Sequence, residues 1–316
     1  MNIVEKISAL IRETSSSLPE DVLKALKAAL RKEAKGSSAA VVLRTILDNC
    51  AIAKRRGTPL CQDTGTLTFF VDERLRRKVT PAVLKRAVAV ATERGWLRKN
   101  TIDSVSGKSY DDNCAEGAPV VHYVEGSRGS SDSRGSSDSR GSSDSSDSRN
   151  SRAARAPSPT VTLVMKGGGS ENMSRQYSLP DTSIGAGRDL EGVRRCVLDA
   201  VQKIQGYGCA PGILGVCVGG DRATGFEVAK EQLLRPLDEP RRQSTALDSS
   251  RNERELAALE TRLLREANAL GIGPMGLGGR TTLLGVKVAA RPRVPASFFV
   301  TIAYMCWACR RRTVEI

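Results

Sequence analysis

The chain contains 316 residues, of which 40% are hydrophobic and only 4% are aromatic. A chain of this length can form one large domain or two modest ones, and its core must be mainly aliphatic. It has no run of about 18 apolar residues, which predicts that no segment spans a membrane. Its first residues lack the basic-then-apolar order of a signal peptide, so we expect a cytoplasmic protein without membrane attachment.

The net charge of +14 raises the question of nucleic-acid binding. The basic residues are scattered, and no helix-turn-helix, zinc finger or aromatic-rich RNA motif accompanies them. Charge alone supports only non-specific attraction to nucleic acid. We therefore expect no specific nucleic-acid partner, and a pocket for a small dianionic acid is another use for the positive charge.

The first 56 residues are predicted to be helical, because apolar side chains recur there at helical spacing. The Pro19-Glu20-Asp21 segment supplies the proline and the acids that are typical of a helix start. Helices are predicted at residues 41–53, 81–94, 190–204, 224–234 and 256–270. Strands are predicted at residues 66–72, 120–124, 161–165, 213–218 and 283–289, with a strand-like apolar segment at 296–307.

Residues 127–158 differ from the rest of the chain. The hexapeptide SRGSSD occurs three times in tandem from Ser127, and the segment contains no aliphatic residue larger than alanine. Such a segment cannot offset the conformational entropy that ordering would cost. We expect a disordered insertion here, with residues 1–126 and 159–316 forming one domain. An RS-like nucleic-acid-binding tail is the functional alternative.

Glycine-rich segments separate the predicted elements. The segment KGGGSEN at 166–172 is expected to lack regular structure, and its glycines expose N–H groups that could cradle an anion. A charged segment at 236–255 is predicted to be a linker, and GIGPMGLGGRTT precedes the strand at 283–289. Mixed strands and helices with glycine-rich joints predict a mixed α/β (α+β) fold that carries its function on loops.

Three of the eight cysteines lie in turn-like settings: Cys61 in CQDTG, Cys209 in GCAPG and Cys306 in YMCWACRR. They are far apart in sequence, so only folding could bring them together. Thiolates fixed by loops favour an iron–sulfur group or zinc, although buried cysteines are also common small hydrophobic residues. The single histidine, His122, lies in a predicted strand and is interpreted as structural.

Taken together, these motifs resemble the α-subunit of class I fumarate hydratases and of the similar L-tartrate dehydratases. The matching segments follow the family's order and are PLCQDTG (59–65), KGGGSEN (166–172), GCAPGILGVCVGGDRATG (208–225), LGIGPMGLGGRTTLLGVKV (270–288) and YMCWACRR (304–311). The resemblance implies a [4Fe–4S] cluster held by Cys61, Cys209 and Cys306. One iron without a protein ligand would then act as a Lewis acid on the substrate hydroxyl.

The resemblance also implies the roles of residues around this cluster. Asp63 would take part in acid–base chemistry, and Gln62 would face the substrate. Arg98 would grip a substrate carboxylate, and Gly169 would offer its N–H to the substrate. Two positions depart from the family: Val294 stands where most members have a histidine that contacts the substrate carboxylate, and Met275 stands where many members have a glutamine.

The expected reaction is the reversible hydration of fumarate to malate, with a small dicarboxylate as substrate. The alternatives are an L-tartrate dehydratase, a non-catalytic iron-sensing or nucleic-acid-binding relic, and a zinc-binding structural module. The family has a C-terminal β-domain, fused or separate, that completes the active site. Because this chain stops at Ile316, we expect a heteromer with a β-subunit.

Overall fold

Two four-stranded sheets and eight α-helices form the part of the chain that the computed structural model describes, residues 2–125, 158–239 and 247–316. The helices are α1 Ile3–Ser16, α2 Glu20–Lys32, α3 Ser38–Arg56, α4 Pro81–Glu93, α5 Gly168–Asn172, α6 Leu190–Ile204, α7 Arg222–Gln232 and α8 Leu247–Ala269. The strands are β1 Thr66–Asp72, β2 Val120–Val124, β3 Thr160–Lys166, β4 Arg175–Ser178, β5 Gly212–Gly219, β6 Leu283–Arg291, β7 Phe299–Met305 and β8 Arg310–Glu315. This content confirms the predicted mixed α/β class. Of the insertion predicted at 127–158, only residue 158 lies within the described residues.

The N-terminal helices form where local signals predict them. Asn2 and Glu5 make a capping box at the start of α1, in which each side chain accepts the other residue's backbone N–H. Ser37 caps α3 by accepting the N–H of Ala40 at 3.2 Å, and Gly57 ends α3 with a left-handed φ of 64°. Every helix in the described ranges is too short or too polar to cross a membrane.

The first sheet has the strand order β2-β1-β3-β8. β1 runs parallel to β2 and antiparallel to β3, and β3 runs antiparallel to β8. Helices α1 and α4 pack against each other and against this sheet, and their buried side chains join those of β1 and β3 in one core. The alternating burial along β1 is the pattern of a strand with one covered face.

The second sheet has the order β4-β7-β5-β6 and is covered on both faces. Leu214 and Val216 of β5 belong to the core that includes α6 and α8, whereas Ile213 and Cys217 belong to the core that includes α2, α3 and α7. All eight residues of β5 are buried, as expected for a strand between two helical layers.

The prediction that KGGGSEN lacks regular structure is wrong, because its last five residues form the short helix α5. Glycine disfavours helices, so tertiary contacts must compensate. The Nζ of Lys166 donates to the carboxylate of Glu171, and the Oγ of Ser170 accepts the N–H of Cys306 at 3.2 Å. These contacts hold both ends of the segment.

Three other elements depart from the prediction. Helix α8 starts at residue 247, nine residues before the predicted start, so the second half of the predicted charged linker is helical where it is described. Asn252, Arg254 and Glu255 are exposed, and such residues are tolerated on a solvent-facing helix surface. Strands β4 and β8 were not predicted, because each is short and polar and forms by pairing with a neighbouring strand, β7 and β3 respectively.

A buried ion pair connects helix α2 to strand β8. Asp21 Oδ2 accepts a hydrogen bond of 2.6 Å from Arg311 Nη2, and a second bond of 2.8 Å from the N–H of Leu237. Burial raises the pKa of Asp21, but the hydrogen bonds from Arg311 and Leu237 outweigh burial and hold the pKa below its ordinary value. The carboxylate is therefore ionised in the folded protein at neutral pH.

We expect Asp21→Asn to lower the free energy of unfolding by about 3–5 kcal/mol at pH 7, because Arg311 would be left buried without its counter-charge. Because folding lowers the pKa of Asp21, this contribution is complete above the unfolded-state pKa near 3.8 and is lost as pH falls through the folded-state value. Urea unfolding of both proteins over a series of pH values measures the difference.

The matched control is Asp238→Asn, which removes an exposed carboxylate that contacts Lys24 at 3.7 Å. It should change the free energy of unfolding by less than about 0.5 kcal/mol. The proposed stabilisation by the Asp21–Arg311 ion pair would be contradicted if the two substitutions had equal effects at pH 7. It would also be contradicted if the effect of Asp21→Asn stayed the same in acid.

Candidate active site

Strand pairing brings the predicted site segments to one end of each sheet. In the second sheet, Ile213 of β5 pairs with Met305 of antiparallel β7, so the loop before β5 and the loop after β7 lie side by side. In the first sheet, Thr66 of β1 pairs with Lys166 of antiparallel β3, so the loop before β1 meets the turn after β3. These four segments carry the three loop cysteines and the glycine-rich turn.

The loop at residues 58–65, between α3 and β1, carries Cys61. Its neighbour Leu60 is buried and donates its N–H to the carbonyl of Ser15 at 2.8 Å. The Leu60 carbonyl accepts a bond of 3.0 Å from the side-chain amide of Asn49. Helices α1 and α3 therefore fix the backbone that presents the half-buried Cys61 thiol.

Asp63 is held by three separate parts of the chain. Its Oδ1 accepts a hydrogen bond of 3.0 Å from Asn100 Nδ2, and its backbone carbonyl accepts one of 2.8 Å from Arg310 Nη2. Gly167 packs on the same carboxylate so closely that a Cβ there would lie 2.7 Å from Oδ2. These contacts fix the orientation of Asp63, while its neighbour Gln62 is exposed.

The backbone of Arg98 is tied to this loop through Thr64. The Thr64 hydroxyl accepts the Arg98 N–H at 2.9 Å and donates to the Arg98 carbonyl at 2.8 Å. The buried Asn113 donates from its side chain to the same carbonyl at 3.0 Å and accepts the N–H of Asn100 at 2.9 Å. The structure thus places Arg98 beside Asp63 and leaves its side chain exposed.

Cys209 lies in the loop before β5 and has a left-handed φ of 52°. Its N–H donates to the carbonyl of Gly206 at 3.1 Å, and its carbonyl accepts the N–H of Trp307 at 3.4 Å. The carbonyl of Ala210 accepts the N–H of Met275 at 2.9 Å. The loops around Cys209 and Cys306 and the glycine-rich turn at 271–279 are therefore joined by backbone hydrogen bonds.

The three loop cysteines interact electrostatically with one another. Partial desolvation of the thiol raises the pKa of Cys209, although the residue as a whole is exposed, and negative charge at Cys306 and at Cys61 raises the pKa further. Burial also raises the pKa of Cys306, against the opposing effects of the Ser170 hydrogen bond and the positive charge of Arg310. Negative charge at Cys61 thus disfavours ionisation of both Cys209 and Cys306, and a bound cation would stabilise thiolates clustered in this way.

The spacing of these thiols bears on what they could bind. Within the described ranges, no three Cys, His, Asp or Glu side chains lie close enough together to hold a single metal ion. Three thiols on separate loops suit a group of several metal atoms, in which each thiolate binds its own iron.

Of the other five cysteines, four lie outside this cluster of loops, and Cys309 lies in the Cys306 loop with a fully buried side chain. Burial is the main cause of a raised pKa at each of them: about 11 at Cys50, Cys114 and Cys217, and about 12 at Cys196 and Cys309.

A cavity of about 260 Å³ opens next to Asp63. Asn100 and Asn113 line it on one side and Gly168 on the other. Gly169, the next residue, is exposed, and a Cβ added there would meet no atom within 4 Å. The glycine-rich turn therefore borders open space beside the carboxylate.

Sequence reasoning missed several residues that build this site: Thr64, Asn100, Asn113, Ser170 and Arg310. Three of them, Thr64, Ser170 and Arg310, were within reach, because they lie inside the motifs CQDTG, KGGGSEN and YMCWACRR. Asn100 and Asn113 lie in no recognised motif, and the loop that carries them meets Asp63 only in the folded chain.

Val294 lies away from the cysteines. It is 64% exposed on the loop that precedes β7, whereas Cys306 follows β7. A seven-residue strand spans roughly 20 Å. The departure at position 294 therefore changes the surface at the far end of β7 from Cys306, and not the lining of the cavity beside Asp63.

The fold and the site define a mixed α/β protein in which three cysteine-bearing loops and a fixed carboxylate meet at the ends of two sheets. The sequence profile of the family described as fumarate hydratase (Fumerase) matches residues 4–133 and 150–315. The chain belongs to this family.

Curated relatives share most of this chain. A protein of Geobacillus stearothermophilus named as a class I fumarate hydratase is 42% identical over 322 residues, which cover 99% of this chain and 55% of that protein. A Methanocaldococcus jannaschii protein named as an L(+)-tartrate dehydratase subunit alpha is 30% identical over 100% of this chain and 98% of its own length. The L(+)-tartrate dehydratase subunit alpha of Escherichia coli K12 is 28% identical over 99% of this chain and 89% of its own length. The chain thus spans about half the length of the Geobacillus relative and nearly all of the two subunits.

Proposed function

We propose that this chain is the cluster-binding part of an iron–sulfur hydro-lyase that hydrates fumarate reversibly to malate. The observation that carries the proposal is the meeting of Cys61, Cys209 and Cys306 beside the fixed carboxylate of Asp63. Family membership and the 42% identity to a protein named as a class I fumarate hydratase support it.

The residues present fit a [4Fe–4S] cluster. Its ligands would be the thiolates of Cys61, Cys209 and Cys306, and the buried cation of Arg310 would favour a negatively charged group among them. When bound, such a cluster supplies a Lewis-acidic iron that makes a hydroxyl a better leaving group.

The chain's own residues would bind the substrate and move a proton. Asp63 is proposed to hold a proton at its carboxylate during transfer at the carbon beside a substrate carboxylate. The bond from Asn100 to Oδ1 keeps this carboxylate in one orientation. Arg98 would bind a substrate carboxylate through its guanidinium, and Gln62 and Gly169 would contact the substrate.

We further propose that residues 1–126 and 159–316 form one catalytic domain. The pairing of β1 with β3 joins the chain before the insertion to the chain after it, which supports a single domain. A β-subunit is proposed as the partner that completes the active site, because two relatives of similar length are named as α-subunits. A cytoplasmic location and the absence of a specific nucleic-acid partner stay predictions from the sequence.

The second candidate function is dehydration of L-tartrate. It is favoured by the two relatives named as tartrate dehydratase subunits, which cover this chain almost completely. Both reactions remove or add water beside a carboxylate, so the same residues would serve either substrate.

The test is anaerobic reconstitution with iron and sulfide, with the candidate β-subunit co-expressed, followed by measurement of fumarate absorbance. We expect fumarate to be consumed only when both the cluster and the partner are present. Turnover of tartrate in place of fumarate would favour the second candidate. A bound cluster with no turnover of either acid would contradict the reaction, and a chain that binds no iron would contradict the cofactor.

A further inference from the structure

Arg310 is the first residue of β8 and is only 1% exposed. One of its nitrogens, Nη2, donates to the carbonyl of Asp63 at 2.8 Å. Neither Nε nor Nη1 has a hydrogen-bond partner among the described residues. A buried N–H without an acceptor destabilises the fold, and a buried charged group does so more strongly, so this side chain requires an anionic partner.

The two arginines that follow it in sequence show the contrast. Arg311 is paired with Asp21 at 2.6 Å. Arg312 donates to Ser17 at 2.9 Å and lies 3.4 Å from Glu13, and only its Nε has no partner among the described residues. Within the described ranges no carboxylate lies within ion-pair distance of Arg310. The bond from Arg310 Nη2 to Asp63, two residues after Cys61, places the Arg310 guanidinium between the loops that carry Cys61 and Cys306.

Tyr304 provides a second, independent observation at the same place. It is 1% exposed, and its hydroxyl has no partner among the described residues. Its ring fits between Gly208 and Gly212, where an added Cβ would lie 2.4 Å and 2.3 Å from ring atoms. Two buried donors without acceptors thus adjoin Cys306, one on each side in sequence.

We propose that Arg310 is a positioning residue for the iron–sulfur group, with its free N–H groups donating to the group's sulfur atoms and its charge offsetting the group's negative charge. This inference rests on the proposed function, since it requires the cluster. Hydrogen bonds to sulfur and nearby charge are among the main factors that set the reduction potential of such clusters. A positive charge beside the cluster favours the reduced, more negative state.

The experiment compares the full-length chain with Arg310→Gln, Arg310→Lys and the control Arg312→Gln, all reconstituted anaerobically with iron and sulfide. Iron and sulfide content is measured first, and the midpoint potential is then measured by redox titration monitored by electron paramagnetic resonance. We expect Arg310→Gln to raise the oxidised-to-reduced ratio at a fixed potential about tenfold, which is a midpoint about 59 mV lower for one electron.

Arg310→Lys keeps the charge and should recover more than half of that shift. Arg312→Gln removes the same side chain two residues further along β8 and should leave the ratio unchanged. If Arg310→Gln binds no cluster, Arg310→Lys must restore it; a folded Arg310→Lys protein without a cluster would overturn the inference.

The outcomes separate this inference from the proposed function. A wild-type chain that binds a cluster, together with an Arg310→Gln potential equal to the wild-type value, overturns the role of Arg310 and leaves the hydro-lyase proposal standing. A wild-type chain that binds no cluster overturns both.

Discussion

Cys209→Ala is expected to reduce fumarate hydration at least about 100-fold, more than the loss of a group that merely supports a metal ligand. The proposed cluster has three protein ligands, and loss of one leaves two thiolates on separate loops. Cys209 is exposed, so the substitution should change the free energy of unfolding by less than about 0.5 kcal/mol. Iron content, visible absorbance and activity, each normalised to folded protein, are the measurements.

The matched control is Cys217→Ala. Cys217 is fully buried in β5, eight residues further along the chain, and burial raises its pKa to about 11. Its replacement should destabilise the fold by about 1 kcal/mol while leaving iron content and activity per folded molecule intact. The pair therefore separates a ligand from a packing residue. Wild-type iron content in Cys209→Ala would show that the three-cysteine assignment is wrong.

Asp63→Asn is expected to lower kcat about 10²- to 10⁴-fold with the cluster still bound, the range that a positioned acid–base group contributes. Asparagine has the same shape and can accept the hydrogen bond from Asn100, so the surrounding contacts persist. The substituted amide cannot take up a proton. Steady-state kinetics with both fumarate and malate, beside iron content and thermal unfolding, measure the effect.

Asp111→Asn is the control for Asp63→Asn. Asp111 is an exposed carboxylate that contacts Lys99 at 2.8 Å, and its replacement should leave kcat unchanged. A fall in kcat for Asp63→Asn that is matched by an equal loss of bound iron would indicate that Asp63 supports the cluster. An unchanged kcat would remove Asp63 from the proton-transfer role.

Local signals explain which elements could be predicted. Strand β1 and helix α6 were predicted with their observed limits, because β1 is a short run rich in β-branched and aromatic residues and α6 has an apolar stripe at helical spacing. Strand β8, with the sequence RRRTVE, carried no such signal. Its backbone pairs with β3, and Arg310 and Arg311 make their contacts to Asp63 and Asp21 only in the folded chain. The short helix α5 was missed for the same reason, since glycine-rich sequence favours irregular structure until side chains from elsewhere hold it.

In the candidate site, likewise, some residues could be predicted from the sequence but their spatial arrangement could not. The residues Cys61, Asp63, Cys209 and Cys306 could be selected because they lie in short motifs that resemble those of a known family. Their proximity could not be predicted from spacing, because it depends on two antiparallel strand pairs placing distant loops at the same sheet ends. The supporting contacts from Asn100 and Gly167 to Asp63 likewise exist only after the sheets have formed.

The sequence by itself determined the mixed α/β class, most helix and strand positions and the motifs of the fumarate hydratase family. These follow from apolar periodicity, capping residues and short motifs, which act over a few neighbouring residues. Only the tertiary structure decided that Arg310 is buried beside Cys306 with unpaired N–H groups, and that Val294 lies at the other end of β7. Burial and charge pairing depend on which strands become neighbours, and strand order is a property of the whole folded chain.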